Sequence, residues 1–313
     1  MPLHPTVAKF IASLPPPPPG PLNPVAMRAA DESHVPPLEK RLPVYAVVDR
    51  TLTTPVGEVP VRIYQPSAAA AHPVLVYFHG GAFFLGSLNT HDHVARELAN
   101  ATGCIVVSVG YRLAPEHQYP AGLADCYAAA RWVAEHGREP VNGIGWDGQI
   151  LAIAGDSSGG TYVAAVTAMA TDDGFGAITH QVLYYPSLDL DFDVERYASL
   201  RSNAVGYGLE TAGLKPCNAF YIASGADPAD PLVSPIKRAD LSGLPPALIV
   251  TAEFDPLRDE GELYGKNLAG AGVPVTVRRY ESAGHGFVQY FSWLPEFHPV
   301  FAETAAFLGT ARN

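Results

Sequence analysis

The stretch Leu151 to Val166, LAIAGDSSGGTYVAAV, decides how the rest of the chain is read. An apolar run from Ile150 to Ala154 ends in Gly155-Asp156-Ser157-Ser158-Gly159-Gly160. A small-residue, Ala-rich segment of helical character follows. Strand, tight turn and helix are the context in which G-x-S-x-G becomes a statement about backbone geometry. Gly155 and Gly159 carry no Cβ, so the strand and helix can approach closely there. The turn strains the backbone at Ser157 and pushes its hydroxyl out beyond the carboxyl end of a strand. The helix that begins there aims free N–H groups at whatever bonds to Ser157. Gly-Ser turns are common, so the remainder of the chain has to support a nucleophile at this place.

Working outward, short apolar runs alternate with helical patterns. Tyr45–Thr53 and Val59–Gln65 read as an antiparallel opening pair around Pro55-Val56-Gly57. Val74–Phe78 and Cys104–Val109 read as buried strands, and Gln181–Tyr185, Ala247–Ala252 and Pro274–Tyr280 as further strands. Helices are expected over Asp92–Ala101 (with Thr90 as N-cap), Ala121–His136, Leu257–Ala271 and Pro295–Leu308. Asn142–Gly148 reads as a Gly-rich loop. This rhythm predicts an α/β fold with a mostly parallel, doubly wound sheet and helices on both faces. Ligands of such sheets bind beyond the carboxyl ends of the strands, where Ser157 falls.

Two segments break the rhythm. Residues 1–43 contain the run Pro15–Pro19, which favours polyproline II and reads as a rigid spacer between short helices at Thr6–Ser13 and Val25–Ala30. Residues 188–240 are rich in Asp, Tyr, Gly and Pro, with helical patches near Glu195–Ser202 and Lys215–Ala223. They read as an insertion above the sheet. The expected organisation is thus an N-terminal cap segment 1–43, a core 44–187, a cap insertion 188–240 and a second core portion 241–313.

Composition narrows the function classes. The 313 residues are 48% hydrophobic and 16% charged, enough for a large core. A formal net charge of −11 argues against nucleic acid and anionic membrane surfaces as partners. No apolar run reaches the ~18 residues of a membrane span. Cys104, Cys126 and Cys217 are odd in number and far apart, so no disulfide is expected; Cys104 and Cys126 read as buried thiols. The N-terminus lacks a basic region followed by an apolar one, so a cytoplasmic location is expected.

Ser157 needs a base. His180, His285 and His298 follow it. His180 begins a strand, at the wrong sheet edge, and His298 falls in or near the last helix. His285, in Ala283-Gly284-His285-Gly286-Phe287, follows the last strand and shares the edge of Ser157. Imidazole titrates near neutrality, so it can take the Ser157 proton and return it to a leaving alkoxide. The orienting carboxylate is assigned to Asp255, just past Ala247–Ala252, with Glu253 as its nearest rival and Asp189 and Asp191 as weaker ones. Asp259 and Glu260 fall inside the next helix as structural partners. Gly80 and Gly81 follow Val74–Phe78 at the same edge, where backbone N–H groups can meet a developing oxyanion together with Ser158 N–H. His79 reads as a residue that shapes this loop. His91-x-His93 opens a helix and lacks a carboxylate or Cys set, so no metal site is expected.

His79-Gly80-Gly81-Ala82-Phe83, the stretch Tyr111–Glu116, Gly155–Gly160, Asp255–Gly261 and His285-Gly286-Phe287, in this order, resemble the hormone-sensitive-lipase family of esterases, the bacterial family IV. The resemblance runs from about Val74 to Phe287. It implies an α/β-hydrolase fold with a cap, and ester hydrolysis without a cofactor. Family roles fall on Ser157, Asp255 and His285 as triad and on Gly80, Gly81 and Ser158 as oxyanion donors. Two departures stand out: Ser158 replaces the usual Ala, and the glycine motif reads HGGA rather than HGGG. The implied reaction is hydrolysis of small carboxylic esters of short to medium chain, with homodimers known among similar proteins. Phe83, Phe84, Leu188, Tyr207 and Phe287 are candidates to line an apolar substrate pocket, each equally readable as core. An amidase or deacetylase with the same triad remains the alternative, as does a non-catalytic small-ligand receptor, against which the presence of His285 argues.

Overall fold

The structure is a computed structural model that describes residues 1–14, 20–139 and 143–310. The proline run Pro15–Pro19 and its expected spacer role lie outside these residues, as does Asn142 at the start of the expected loop.

Eight strands form one sheet: β1 (Ala46–Thr54), β2 (Gly57–Gln65), β3 (His72–Phe78), β4 (Ile105–Val109), β5 (Trp146–Asp156), β6 (His180–Tyr184), β7 (Ala247–Phe254) and β8 (Val275–Gly284). Their order is β1-β2-β4-β3-β5-β6-β7-β8. β1 pairs antiparallel with β2, from Ala46↔Gln65 to Thr54↔Gly57, and β2 antiparallel with β4. Every other pairing is parallel. The mostly parallel α/β sheet expected from the alternation is therefore what the chain builds.

The inner strands β3, β4, β6 and β7 and the second half of β5 read as apolar runs because both faces are covered, whereas the edge strands β1 and β8 are largely exposed. Val74, Val76 and Phe78 of β3 point into a core shared with α4 (Ala121–His136), α5 (Ser158–Asp172) and α8 (Arg258–Gly270). Leu75 and Tyr77 point into the opposite core, with α3 (Asp92–Thr102) and α10 (Pro299–Leu308). Thus the period of two along one strand feeds two separate cores.

Some expected boundaries shift. Thr90 does not cap α3: its Oγ1 accepts the Ser87 N–H at 2.8 Å, and His91 occupies the cap position without a side-chain bond. β5 reaches back to Trp146, into the expected loop, through a register shift against β3 between His72 and Val74. β8 runs on to Gly284, so His285 follows it directly.

The two irregular segments lie over the carboxyl edge. The N-terminal α1 (Pro5–Ser13) is tied to β8 by His4 N–H donating to Ser282 O at 2.9 Å. Phe10 packs edge-on against Phe291 at 5.3 Å, beside α9 (Phe287–Tyr290), a helix the sequence reading missed. From α2 (Pro24–Ser33), Arg28 Nε donates to Phe84 O at 2.7 Å, and its guanidinium also pairs with Glu116. Residues 188–240 contain α6 (Ser199–Ser202) and α7 (Thr211–Ile222) and send Leu190, Phe192, Tyr197, Leu214 and Tyr221 into the α4–α5 core.

Candidate active site

Ser157 sits between β5 and α5 at φ 55° and ψ −120°, left-handed for a non-glycine residue. Such a backbone costs on the order of 1–2 kcal/mol. Close packing enforces it. A Cβ on Gly155 would stand 2.5 Å from Gly159 O, and one on Gly159 would stand 2.0 Å from Phe78 O. Hydrogen bonds hold the turn: Ser157 N–H donates to Tyr184 O at 2.9 Å, and Ser157 O accepts from Gly160 and Ser187 N–H.

The structure brings Ser157, His285 and Asp255 together from three strand ends. Ser157 Oγ lies 2.9 Å from His285 Nε2, and His285 Nδ1 lies 2.8 Å from Asp255 Oδ2. Asp255 is fully buried, its Oδ1 accepting Leu257 N–H at 2.8 Å. Asn203 Nδ2 donates to Asp255 O at 3.1 Å and holds the loop from the insertion side. With Nδ1–H directed at the carboxylate, Nε2 presents its lone pair to the serine hydroxyl. The rival carboxylates are engaged elsewhere. Glu253 pairs with Arg258 and Arg279, and Asp189 and Asp191 share Arg196 and Lys237. His180 starts β6 at the far edge, and His298 pairs with Glu97 at 3.4 Å.

The glycine loop corrects one expectation. Gly80 N–H donates to Asp156 Oδ1 at 2.8 Å, and Gly80 does not line the cavity over Ser157. Its N–H is therefore spent inside the protein. Gly81, Ala82 and Ser158 line that cavity instead, and among the described residues their N–H groups have no protein acceptor. Ala82, not among the donors expected from the sequence, holds φ 49°, and Phe83 φ 66°. The chain thus tolerates alanine in a backbone region that glycine adopts freely. The hydroxyl of Ser158 accepts Phe83 N–H at 3.3 Å and so braces the same loop.

Behind this loop lies a buried polar cluster. Asp156 also accepts the Tyr77 hydroxyl at 2.5 Å, with His91 Nε2 3.6 Å away. Burial pushes the Asp156 carboxyl up, but His91 and the hydrogen bonds it accepts outweigh that and leave it below its ordinary value. His79 bonds Gly80 O at 2.8 Å and stacks on Tyr111 at 4.3 Å. Burial drives its pKa down to about 3, so it is neutral and serves the loop as a donor. His93, next to His91 in the sequence pattern, turns away to Gln289 O.

The cavity measures about 600 Å³. Of the five pocket candidates only Phe84 lines it. Phe83 stacks on Tyr221 at 3.9 Å, Leu188 is core, Phe287 packs among Tyr280 and Phe297, and Tyr207 lies against Phe254. The walls come instead from Ile11 and Leu14 near α1, from Leu209, Leu214, Cys217 and Asn218 at α7, and from Tyr185, Leu257, Gln289 and Tyr290. Tyr185 and Leu257 follow β6 and β7 at the carboxyl edge, so the strand-end rule could have found them. The others depend on how α1 and α7 lie over the sheet.

Residues 75–289 match the family described as alpha/beta hydrolase fold, and the chain belongs to that family. It is 43% identical over 258 residues to the esterase LipI of Mycobacterium tuberculosis, covering 81% of this chain and 78% of that one. An arylesterase of Saccharolobus solfataricus is 39% identical over 236 residues, 74% of this chain and 73% of its own. Among solved structures, a hyperthermophilic esterase from the archaeon Pyrobaculum calidifontis superposes with a TM-score of 0.88 at 39% identity, covering 98% of each chain. A thermostable esterase from Pseudomonas putida superposes with a TM-score of 0.90 at 32% identity, over 99% of this chain and 98% of that one.

Proposed function

We propose that the chain is a serine carboxylesterase that hydrolyses small carboxylic esters of short to medium chain. The observation that carries this reading is the continuous relay Ser157 Oγ–His285 Nε2–His285 Nδ1–Asp255 Oδ2, at 2.9 and 2.8 Å, opening onto the cavity. The esterases it resembles support the same reaction class.

In the proposed cycle Ser157 Oγ attacks the ester carbonyl carbon while His285 Nε2 takes its proton. The carbonyl oxygen becomes an oxyanion, met by the N–H groups of Gly81, Ala82 and Ser158. Each such donor is worth about 10²–10³ in rate. The imidazolium, held by Asp255, gives its proton to the departing alkoxide and leaves an acyl-Ser157. Water activated by His285 then attacks the acyl carbon, and the acid leaves as Ser157 recovers its proton. No cofactor enters any step. Asp255 keeps the imidazole in the productive tautomer.

Among the described residues no helix is long and apolar enough to cross a membrane. The free thiols of Cys104, Cys126 and Cys217 support a reducing compartment such as the cytoplasm. The test is a p-nitrophenyl ester series from acetate to palmitate on the wild type and Ser157→Ala. Activity peaking at short or medium chains and falling by about 10⁵ or more in the variant is expected. A folded Ser157→Ala protein as fast as the wild type would overturn the assignment.

A further inference from the structure

Glycines inside helices call for a reason, since glycine is the least favourable helix residue after proline. Among the described helices five of the seven glycines have a close neighbour that supplies one. A Cβ on Gly122 would stand 2.5 Å from the Tyr162 hydroxyl, and on Gly160 2.6 Å from Pro186. On Gly265 it would stand 2.8 Å from Val277, and on Gly261 3.2 Å from Thr251. A neighbouring helix, strand or loop comes close at each, with no room for a side chain at Gly122, Gly160 and Gly265 and a tight fit at Gly261.

Gly213 differs. It lies in the first turn of α7, with no positive φ, and no atom stands within 4 Å of a Cβ built there. Gly206 and Gly208, nearby on the same cavity wall, hold φ of 88° and 99° and so need glycine for their backbone. Gly213 needs it for neither backbone nor packing. Gly270, equally open, sits at the last position of α8 and does not line the cavity. Gly213 lines the cavity that Ser157 and His285 also line, and the place its side chain would take is open.

The size of that cavity gives the space a meaning. At about 600 Å³ it belongs with pockets that enclose drug-sized ligands, far beyond the needs of an acetyl or butyryl ester. Around Gly213 the wall carries Leu209, Leu214 and Cys217, with Leu257 further along and Glu210 and Asn218 as its polar members. Leu214 and Cys217 lie one and four residues on from Gly213, so Cys217 shares its helix face.

We propose that Gly213 is a specificity-determining residue. It keeps room for a ring-sized apolar group, so that the preferred substrates are ring-bearing, largely apolar carboxylic esters. This rests on the esterase reading above and names its substrate class. The ring belongs to the acyl or to the alcohol side, and the experiment separates the two.

The test measures kcat/KM for two matched pairs on wild type, Gly213→Ala and Gly213→Leu. One pair is p-nitrophenyl cyclohexanecarboxylate against p-nitrophenyl acetate; the other is cyclohexyl acetate against ethyl acetate, followed by proton release. In wild type at least one ring-to-small ratio exceeds unity. In Gly213→Leu that ratio falls by about tenfold or more, because added methylenes occupy the space of the ring. Gly213→Ala gives a partial fall of about threefold in the same pair and keeps the test alive if the leucine variant does not fold. The pair that responds shows which side of the ester lies against α7. Ratios below unity for both pairs in wild type, or ratios unmoved in the folded variants, overturn the proposal. A Ser157→Ala protein that still hydrolyses the small esters points instead to failure of the esterase reading.

Discussion

The floor and the roof of the cavity are built by different physics. On the floor, Ser157, His285, Asp255 and the Gly80–Ala82 loop are each fixed by hydrogen bonds or by backbone contact too close for a Cβ. On the roof, α1 and α7 present Ile11, Leu14, Leu214 and Cys217 through apolar packing and few polar ties. Directional bonds specify positions to within tenths of an ångström, while apolar packing specifies a volume. The floor should therefore control the chemical step, and the roof should control which ester fits.

The largest effect expected from this division is on the floor. Asp255→Asn replaces the acceptor of the His285 Nδ1–H with an amide that favours the wrong imidazole tautomer. A fall in kcat of about 10⁴ is expected, with KM within a few-fold of wild type, measured on p-nitrophenyl butyrate. Thermal unfolding of the same sample reports that the fold is still in place. A loss of less than about tenfold would mean that another group orients the imidazole, and the contrast between floor and roof would lose its main support.

A smaller effect concerns the buried cluster beneath the glycine loop. His79 has its pKa lowered to about 3 by burial, against 6.5 for the free side chain. The unfolded chain therefore binds a proton below pH 6.5 that the folded chain refuses until about pH 3. The contribution of neutral His79 is present in full above 6.5 and is lost as pH falls through this window. By pH 5 the loss is about 2 kcal/mol, from roughly 1.5 units at 1.36 kcal/mol each. In His79→Gln, urea unfolding at pH 7 and pH 5 should show a drop in stability smaller than that of wild type by about this amount. Equal drops in the two proteins would place the acid sensitivity elsewhere.

Much of the floor was legible in the sequence because its residue types answer to local geometry. A strand that ends in Gly-x-Ser-x-Gly before a helix has few ways to fold, and Gly159 has no room for anything larger. His285 and Asp255 are legible because each follows a strand that ends at the same sheet edge. Gly80 was misassigned for a reason the one-dimensional pattern does not carry. Whether its N–H faces the cavity or Asp156 is a matter of which way one peptide plane turns. The roof was nearly illegible. Phe83, Leu188 and Phe287 have the composition of pocket residues and the location of core residues. Ile11 and Leu14 lie more than 140 positions from Ser157, and nothing in their local pattern announces the contact.

The smallest effect tests the roof itself. Leu14 follows α1, lines the cavity and is 48% exposed, so a bound substrate can cover at most about half of its apolar surface. A half-buried leucine is worth on the order of 1 kcal/mol. Leu14→Ala should raise KM for p-nitrophenyl hexanoate by no more than about fivefold. The chemical step should not feel the change, because no hydrogen bond of the relay or of the glycine loop passes through Leu14. A change confined to KM places the N-terminal segment on the side of fit. A fall in kcat of the same size or larger would mean that α1 also sets the geometry of the loop that ends in His285, through its bond from His4 to Ser282 and the packing of Phe10 on Phe291. In that case the roof would be mechanically part of the floor, and the two would have to be treated as one unit.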